Sequence, residues 1–225
     1  LVSDGQIRWD DGQTYFAQKI KGFAINGLIR YFDSNTYYRH PIAEAEVAWD
    51  GPISVADYIF AKKHSTKPLK AVITGPYTLA RLSQQGQYSG MRPLVMDLAQ
   101  ALNKEALALQ EAGAPVIQFD EPVFSRYPEK VSAWGIEALD RCLEGITNAR
   151  TAAHICYSYP MPGVARPIMD SYPVILKELE RSRIDQLALE FEAPGLDPEL
   201  LRLCPSKTVM YGCIDNGIDG IETPE

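Results

Sequence analysis

The stretch Thr151-Ala-Ala-His-Ile-Cys-Tyr-Ser158 decides how this chain is read. Small and apolar residues run without a break into a histidine and a cysteine two positions apart, His154 and Cys156. On an extended strand, side chains alternate faces, so residues two apart point the same way. Imidazole and thiolate then project together from one strand end, a geometry suited to holding Zn²⁺. The same spacing arises by chance, and a free cysteine often serves only as a small buried hydrophobe. Spacing alone leaves both readings open.

Outward from this strand the same alternation recurs. Leu1–Ser3 ends a strand, Thr14–Phe23 has apolar residues at helical spacing, and Asn26–Phe32 is a short strand running into an aromatic loop, 33–40. Ser54 caps a helix, Ala71-Val-Ile-Thr74 is a buried strand, and a long Leu- and Ala-rich helix runs from Pro93 to Ala112 with Gly113 as its stop. Val116–Phe119 is a strand ending on Asp120-Glu121-Pro122, followed by a helix over Glu129–Gly145. After the His154/Cys156 strand come a helix over Ser171–Arg181, a strand over Gln186–Phe191, a short helix over Asp197–Leu203 and a last strand over Thr208–Ile214. Seven short apolar strands, most followed by a helix, predict a parallel sheet covered by helices. Over this length they suit an α/β fold of the (β/α)₈ TIM-barrel type, incomplete at its first strand and C-terminal segment, better than an open doubly wound sheet. No G-x-G-x-x-G follows any strand, so a dinucleotide fold lacks its fingerprint.

With 225 residues, 46% of them hydrophobic, the chain can bury a sizeable core as one domain, 1–225. A net charge of −7 with scattered basic residues argues against a nucleic-acid partner. No apolar run approaches the roughly 18 residues of a membrane span, and no signal peptide opens the sequence. The four cysteines, at 142, 156, 204 and 213, have no disulfide-framework spacing, which makes a reducing cytoplasm the expected location. The chain opens without Met, and Thr223-Pro224-Glu225 carries the cap and first turn of a further helix, so it reads as an interior piece of a longer protein.

In a barrel, the C-terminal ends of the strands form one face, where active sites lie. Asp4, Gln6, Asp33, Thr74-Gly75-Pro76, Asp120, Glu121, His154, Cys156, Glu190, Glu192 and Asp215 all fall at such ends. Glu190 is the most telling, because it interrupts Leu187-Ala-Leu-Glu-Phe-Glu192, where a buried carboxylate costs several kcal/mol unless paired or metal-bound. His154, Cys156 and Glu190 from neighbouring strands make three ligands, and a catalytic zinc keeps a further position for water or substrate. Glu192, on the same face by parity, is the fallback ligand. Cys213, at the end of the last strand, is expected to pack inside the barrel, with a further thiolate ligand as its alternative role; Cys142 and Cys204 are expected on helices, and His40 and His64 in loops.

Ile73-Thr-Gly-Pro-Tyr-Thr-Leu79, Ile117-Gln-Phe-Asp-Glu-Pro122, His154-Ile-Cys-Tyr157 and Leu189-Glu190 together resemble the C-terminal catalytic barrel of the cobalamin-independent methionine synthase family, including its short single-barrel relatives. The resemblance implies a zinc-dependent methyltransferase that moves a methyl group to the sulfur of homocysteine. By motif, His154, Cys156 and Glu190 correspond to zinc ligands and Asp120 to the catalytic carboxylate that receives the substrate ammonium. Gln6 and Glu121 are the other substrate-facing positions it implies. In that family the fourth ligand is a cysteine from a segment after the last strand, which is absent here. Chemically, zinc would convert a mostly neutral thiol into a nucleophile.

This sequence departs from the pattern at three places. Leu82 stands where the family has a tryptophan that stacks on folate, Asp215-Asn216-Gly217 where it has D-x-H, and Gln6 where it has a glutamate. A missing stacking surface and a missing acid point to a methylated corrinoid protein rather than methyl-folate as donor, with Tyr77 or Tyr157 as compensating groups. Two alternatives stay open: a uroporphyrinogen decarboxylase-like or coenzyme M-type enzyme on the related barrel, and a non-catalytic zinc- or amino-thiol-binding relative.

Overall fold

The computed structural model describes residues 1–32, 34–157 and 170–215. Asp33, Ser158, Asn216, Gly217 and the Thr223–Glu225 helix signal lie outside them. The chain begins at the edge of a sheet, where Val2 forms a single parallel bridge to Leu69. The strand expected over Leu1–Ser3 is thus reduced to one contact. Asp11 then caps α1 (Gly12–Ala17), its carboxylate accepting the Thr14 N–H at 2.6 Å.

The helix expected over Thr14–Phe23 stops at Ala17, and the chain continues as β1 (Ile20–Arg30), paired antiparallel with β2 (Tyr37–Trp49). Gly22 explains the break. It holds φ +95° at a bulge, and a Cβ there would stand 2.4 Å from the Glu46 carbonyl oxygen. Tyr37–His40, expected in a loop, opens β2. The Ala-Glu-Ala-Glu run and Pro41 within β2 carry no strand propensity, so pairing with β1 decides the conformation. His64 is likewise not in a loop but ends α2 (Val55–His64).

Five parallel strands form the main sheet: β3 (Lys70–Thr74), β4 (Val116–Asp120), β5 (Arg150–Ile155), β6 (Gln186–Glu190) and β7 (Thr208–Gly212). Their spatial order is their sequence order, as in a barrel wall. The short helix α3 (Pro76–Arg81), unforeseen in the sequence, and the long α4 (Met91–Glu111) connect β3 to β4. A helix was expected over Glu129–Gly145. That segment is instead α5 (Pro128–Lys130), a π-turn at Val131–Gly135 and α6 (Ile136–Cys142). α7 (Tyr172–Arg181) leads to β6. Of the seven strands expected, five build the sheet, Asn26–Phe32 belongs largely to the hairpin, and Leu1–Ser3 leaves a bridge.

The two faces of the sheet separate by residue parity. Ile73, Ile117, Phe119, Ala153, Ile155 and Leu187 are fully buried, as are Leu94, Leu98, Leu102 and Leu109 of α4. Each such side chain contributes about 1.5–3 kcal/mol by leaving water. The other parity carries Lys70, Thr74, Gln118, Asp120, His154 and Glu190. On β7 this inner face is open to solvent: Met210, in register with Ala188, is 56% exposed. Cys213, just beyond β7, is exposed rather than packed inside, whereas Cys142 and Cys204 are buried.

Glu105 of α4 ties the hairpin to the barrel wall. Its fully buried carboxylate accepts from Trp49 Nε1, Ile53 N, Ser54 N and Ser54 Oγ, at 2.7–3.0 Å. Four donors offset the cost of burying it. Glu121 makes a similar joint at the other end. Its fully buried carboxylate accepts from Tyr77 N at 3.0 Å, Thr78 N at 2.7 Å and Thr78 Oγ1 at 2.6 Å, capping α3. Gly75 is required for this approach, since a Cβ there would lie 2.3 Å from the Glu121 carboxyl carbon.

The register of β5 against β6 is clamped at its lower end by Asp185. Its carboxylate accepts the Thr151 N–H at 2.8 Å and Thr151 Oγ1 at 2.9 Å, and it pairs with Arg150 at 3.3 Å. Burial would raise this carboxyl, but the Thr151 hydrogen bonds and Arg150 bring it below its ordinary value.

Two predictions follow from these joints. Gly75→Ala is expected to destabilise the protein by about 1–3 kcal/mol through overpacking. Gly27→Ala, where nothing lies within 4 Å of the added Cβ, is expected to be near neutral in the same denaturant titration. For Asp185 the folded-state pKa is depressed, so its contribution is present above the unfolded value near 3.9 and lost as pH falls through the folded value. The side chain is 35% exposed, which keeps the expected cost of Asp185→Asn to about 1 kcal/mol at pH 7. The gap from wild type should begin to narrow below about pH 4 and close once the pH falls below the folded value. An equal gap at pH 3 and pH 7 would show that the charge is not what acts there.

Candidate active site

β4, β5 and β6 deliver their C-terminal residues to one mouth. The register pairs Asp120 with His154, and His154 with Ala188, so Glu190 lies one inward position beyond His154 on the neighbouring strand. Cys156 follows the end of β5. The ligand atoms of His154, Cys156 and Glu190 lie within 4.8 Å of one another. The three expected metal ligands are therefore brought together, although β5 ends at Ile155, before the thiol. Glu192 is exposed and outside the group: β6 ends at Glu190, and strand parity ends with it.

Each of the three is held by groups behind it. His154 Nδ1 lies 3.2 Å from the Ala188 carbonyl oxygen. A carbonyl can only accept, so Nδ1 donates, and in the neutral imidazole Nε2 is the nitrogen left with a lone pair. The Tyr157 N–H donates to Glu190 Oε2 at 2.9 Å. Ser125 Oγ lies 2.8 Å from the Cys156 carbonyl and 2.9 Å from that of Pro122, pinning the backbone that carries the thiol. Imidazole, thiol and carboxylate on a fixed backbone form a donor set that fits Zn²⁺.

Asp120 sits beside this group, at the end of β4. Burial raises its carboxyl, against the pull of His154, a hydrogen bond from Gln118 and the Lys70 charge. Lys70 is itself lowered by burial and supported by Asp120.

Asp120, His154 and Cys156 line a cleft of about 300 Å³ with Gln6, Thr74, Thr78 and Pro122. The opposite wall comes from segments that gave no functional signal in the sequence: Trp9, Asp10, Asp11 and Gln13 ahead of and within α1, and Tyr31, Thr36 and Tyr38 around the hairpin turn. Trp9 stacks on Tyr15 at 4.7 Å between ring centroids. Thr74 Oγ1 donates to the Gly12 carbonyl at 2.9 Å, seating α1 on the end of β3. The density of tryptophan, tyrosine and aspartate between Trp9 and Tyr38 was the available signal, but only the hairpin turns it toward the strand ends. Gln6, with φ 54°, and Phe32, with φ 50°, are the non-glycine residues in the left-handed region among those described. One lies in the cleft and the other adjoins it.

Glu121 does not face the substrate, because its carboxylate is spent on the N-terminus of α3 and burial pushes it up to about 8. Leu82 is buried beneath Tyr38, whose hydroxyl donates to the Leu82 carbonyl at 2.9 Å. Tyr77 is buried too, with its hydroxyl donating to the Tyr127 carbonyl at 2.9 Å, so it offers the cleft no flat surface. Asp4 borders other cavities, near α2 and Lys70.

Comparison with known proteins agrees with this geometry. The family model described as the cobalamin-independent synthase catalytic domain matches residues 1–200. A methionine synthase of Saccharolobus solfataricus is 42% identical over 228 residues, and one of Sulfurisphaera tokodaii 34% over 226. Both alignments cover the whole of this chain, which spans 62–64% of the length of these curated relatives. Among solved structures, a B12-independent methionine synthase from Shewanella sp. W3-18-1, in complex with selenomethionine, superposes with a TM-score of 0.86 at 30% identity, covering 99% of this chain and 67% of that one. A vitamin-B12-independent methionine synthase described as putative, from Listeria monocytogenes, shares the fold at TM-score 0.73 and 17% identity. The five-stranded wall is thus part of an incomplete TIM-type barrel, and the chain belongs to the cobalamin-independent methionine synthase family, as a stretch of its catalytic domain.

Proposed function

We propose that this domain serves a zinc-dependent transfer of a methyl group to the thiol of homocysteine. One observation carries the reading: His154 and Cys156, grouped with Glu190 as donors, line the same cleft as Asp120. The 30%-identical Shewanella enzyme holds selenomethionine, an analogue of the product of such a transfer, which supports it.

His154 Nε2, the Cys156 thiolate and a Glu190 oxygen would hold the ion. Bound there, Zn²⁺ would lower the pKa of an incoming thiol so that it reacts as a thiolate at neutral pH. Asp120 takes the substrate ammonium by a charge-assisted hydrogen bond and so fixes the amino-acid end. The walls from α1 and the hairpin restrict water around the sulfur.

The acidic lining also discriminates between chemistries. A sulfonate-bearing thiol of the coenzyme M type, or a polycarboxylate tetrapyrrole, would meet Asp10, Asp11 and Asp120 as like charges. An ammonium is the favoured partner. As donor, a methylated corrinoid is preferred to methyl-folate, because Leu82 packs in the core rather than presenting a stacking surface. A cobalt(I) leaving group also departs without needing a proton.

Zinc analysis and a methionine assay on the full-length protein test this. Cys156→Ser is expected to weaken zinc binding by at least about tenfold and to lower methionine formation with it. Stoichiometric zinc in that variant would overturn the ligand assignment. Methylcobalamin or a methylated corrinoid protein is expected to outperform methyl-tetrahydrofolate. Comparable turnover with the folate, abolished by Trp9→Ala, would instead make Trp9 the pterin platform.

A further inference from the structure

The inner face of β3 and β4 carries a hydrogen-bonded chain of three side chains that leads to Asp120. Lys70 Nζ donates to Gln118 Oε1 at 2.5 Å, and Gln118 Nε2 donates to Asp120 Oδ1 at 2.7 Å. The amide has only one orientation here. An ammonium offers no acceptor and an ionised carboxylate no donor, so the amide oxygen faces Lys70 and the NH₂ faces Asp120. Gln118 is 7% exposed and held in the middle of β4, opposite Val72 of β3. Among the described residues, its amide is the one side chain hydrogen-bonded to the Asp120 carboxylate.

We propose that Gln118, oriented by Lys70, is a positioning residue that sets Asp120 for the substrate's ammonium group. This deepens the assignment of Asp120 made above and rests on it. If Lys70 reached Asp120 directly, the carboxylate would have an internal counter-ion and less to gain from an incoming ammonium. The interposed amide holds the lysine charge away by its own length. It occupies Oδ1 and fixes the plane of the carboxylate, so that Oδ2 is left to the ligand. A hydrogen-bonded amide does this without adding net charge to the cleft. Lys70 supplies what keeps the amide from flipping, since it can only donate.

The test compares methionine with 4-methylthiobutyrate, which has the same thioether and carboxylate but no amino group. Binding to the zinc-loaded full-length protein is measured by calorimetry, alongside homocysteine kinetics. Wild type should favour methionine. Gln118→Leu should weaken methionine binding on the order of tenfold and leave 4-methylthiobutyrate unchanged. Its zinc content should not change, and the KM for homocysteine should rise more than kcat falls. Lys70→Met should move discrimination the same way, and Lys70→Arg, which can still donate to the amide, should restore it.

Equal weakening of both ligands, or unchanged discrimination, in Gln118→Leu would overturn the inference. Wild type that fails to distinguish the two ligands would refute the role of Asp120 itself, before any variant is made. If circular dichroism shows that Gln118→Leu does not fold, the near-isosteric Gln118→Met and Lys70→Met decide by the same comparison.

Discussion

Parallel strand register is the constraint on which the candidate site depends. His154 and Glu190 can meet only because β5 and β6 are aligned so that both point inward, Glu190 one inward position beyond His154. Side chains alternate with a period of two, so a slip of one residue would turn either ligand into the helical layer. Asp185 opposes such a slip at the lower end, through both the amide and the hydroxyl of Thr151. At the upper end, the His154–Ala188 and Tyr157–Glu190 hydrogen bonds repeat the connection between the same two segments. The contacts that define the register are thus also those that orient the ligands.

Carboxylates divide the labour according to their donors. Glu105 is satisfied by four donors from the end of β2 and the start of α2, and Glu121 by two amides and a hydroxyl of α3. Both act as joints between elements. Among the described residues, Asp120 has a single side-chain donor, and Glu190 a single backbone one. These incompletely satisfied carboxylates lie beside the cleft. Because a buried charge must find partners, under-satisfaction at a mouth marks the places where a ligand or cation completes the set.

Strand–helix alternation made the parallel wall legible before any coordinates, because strands covered on both faces must be continuously apolar. The pair His154/Cys156 and the interruption of an apolar run by Glu190 made the donor group legible for the same reason. What could not be read was the hairpin. Its second strand has an Ala-Glu repeat and a proline, and its first contains a glycine bulge, so neither carries the residue propensity of an independent strand. Glu121 was misassigned because adjacency to Asp120 in sequence says nothing about direction. Neighbouring residues at a strand end face opposite ways, and this one turns to α3.

The amino-acid sequence by itself determined the parallel α/β wall, the three donor residues and the carboxylate beside them, since local periodicity and burial cost are properties of short stretches. Tertiary structure alone decided that Trp9, Tyr31 and Tyr38 close the cleft, that Glu121 and Leu82 are internal, and that Gln118 stands between Lys70 and Asp120. These depend on contacts between segments as many as 62 residues apart, as between Gly12 and Thr74. The energy of such contacts appears only once the chain has closed the intervening loops, which no local pattern encodes.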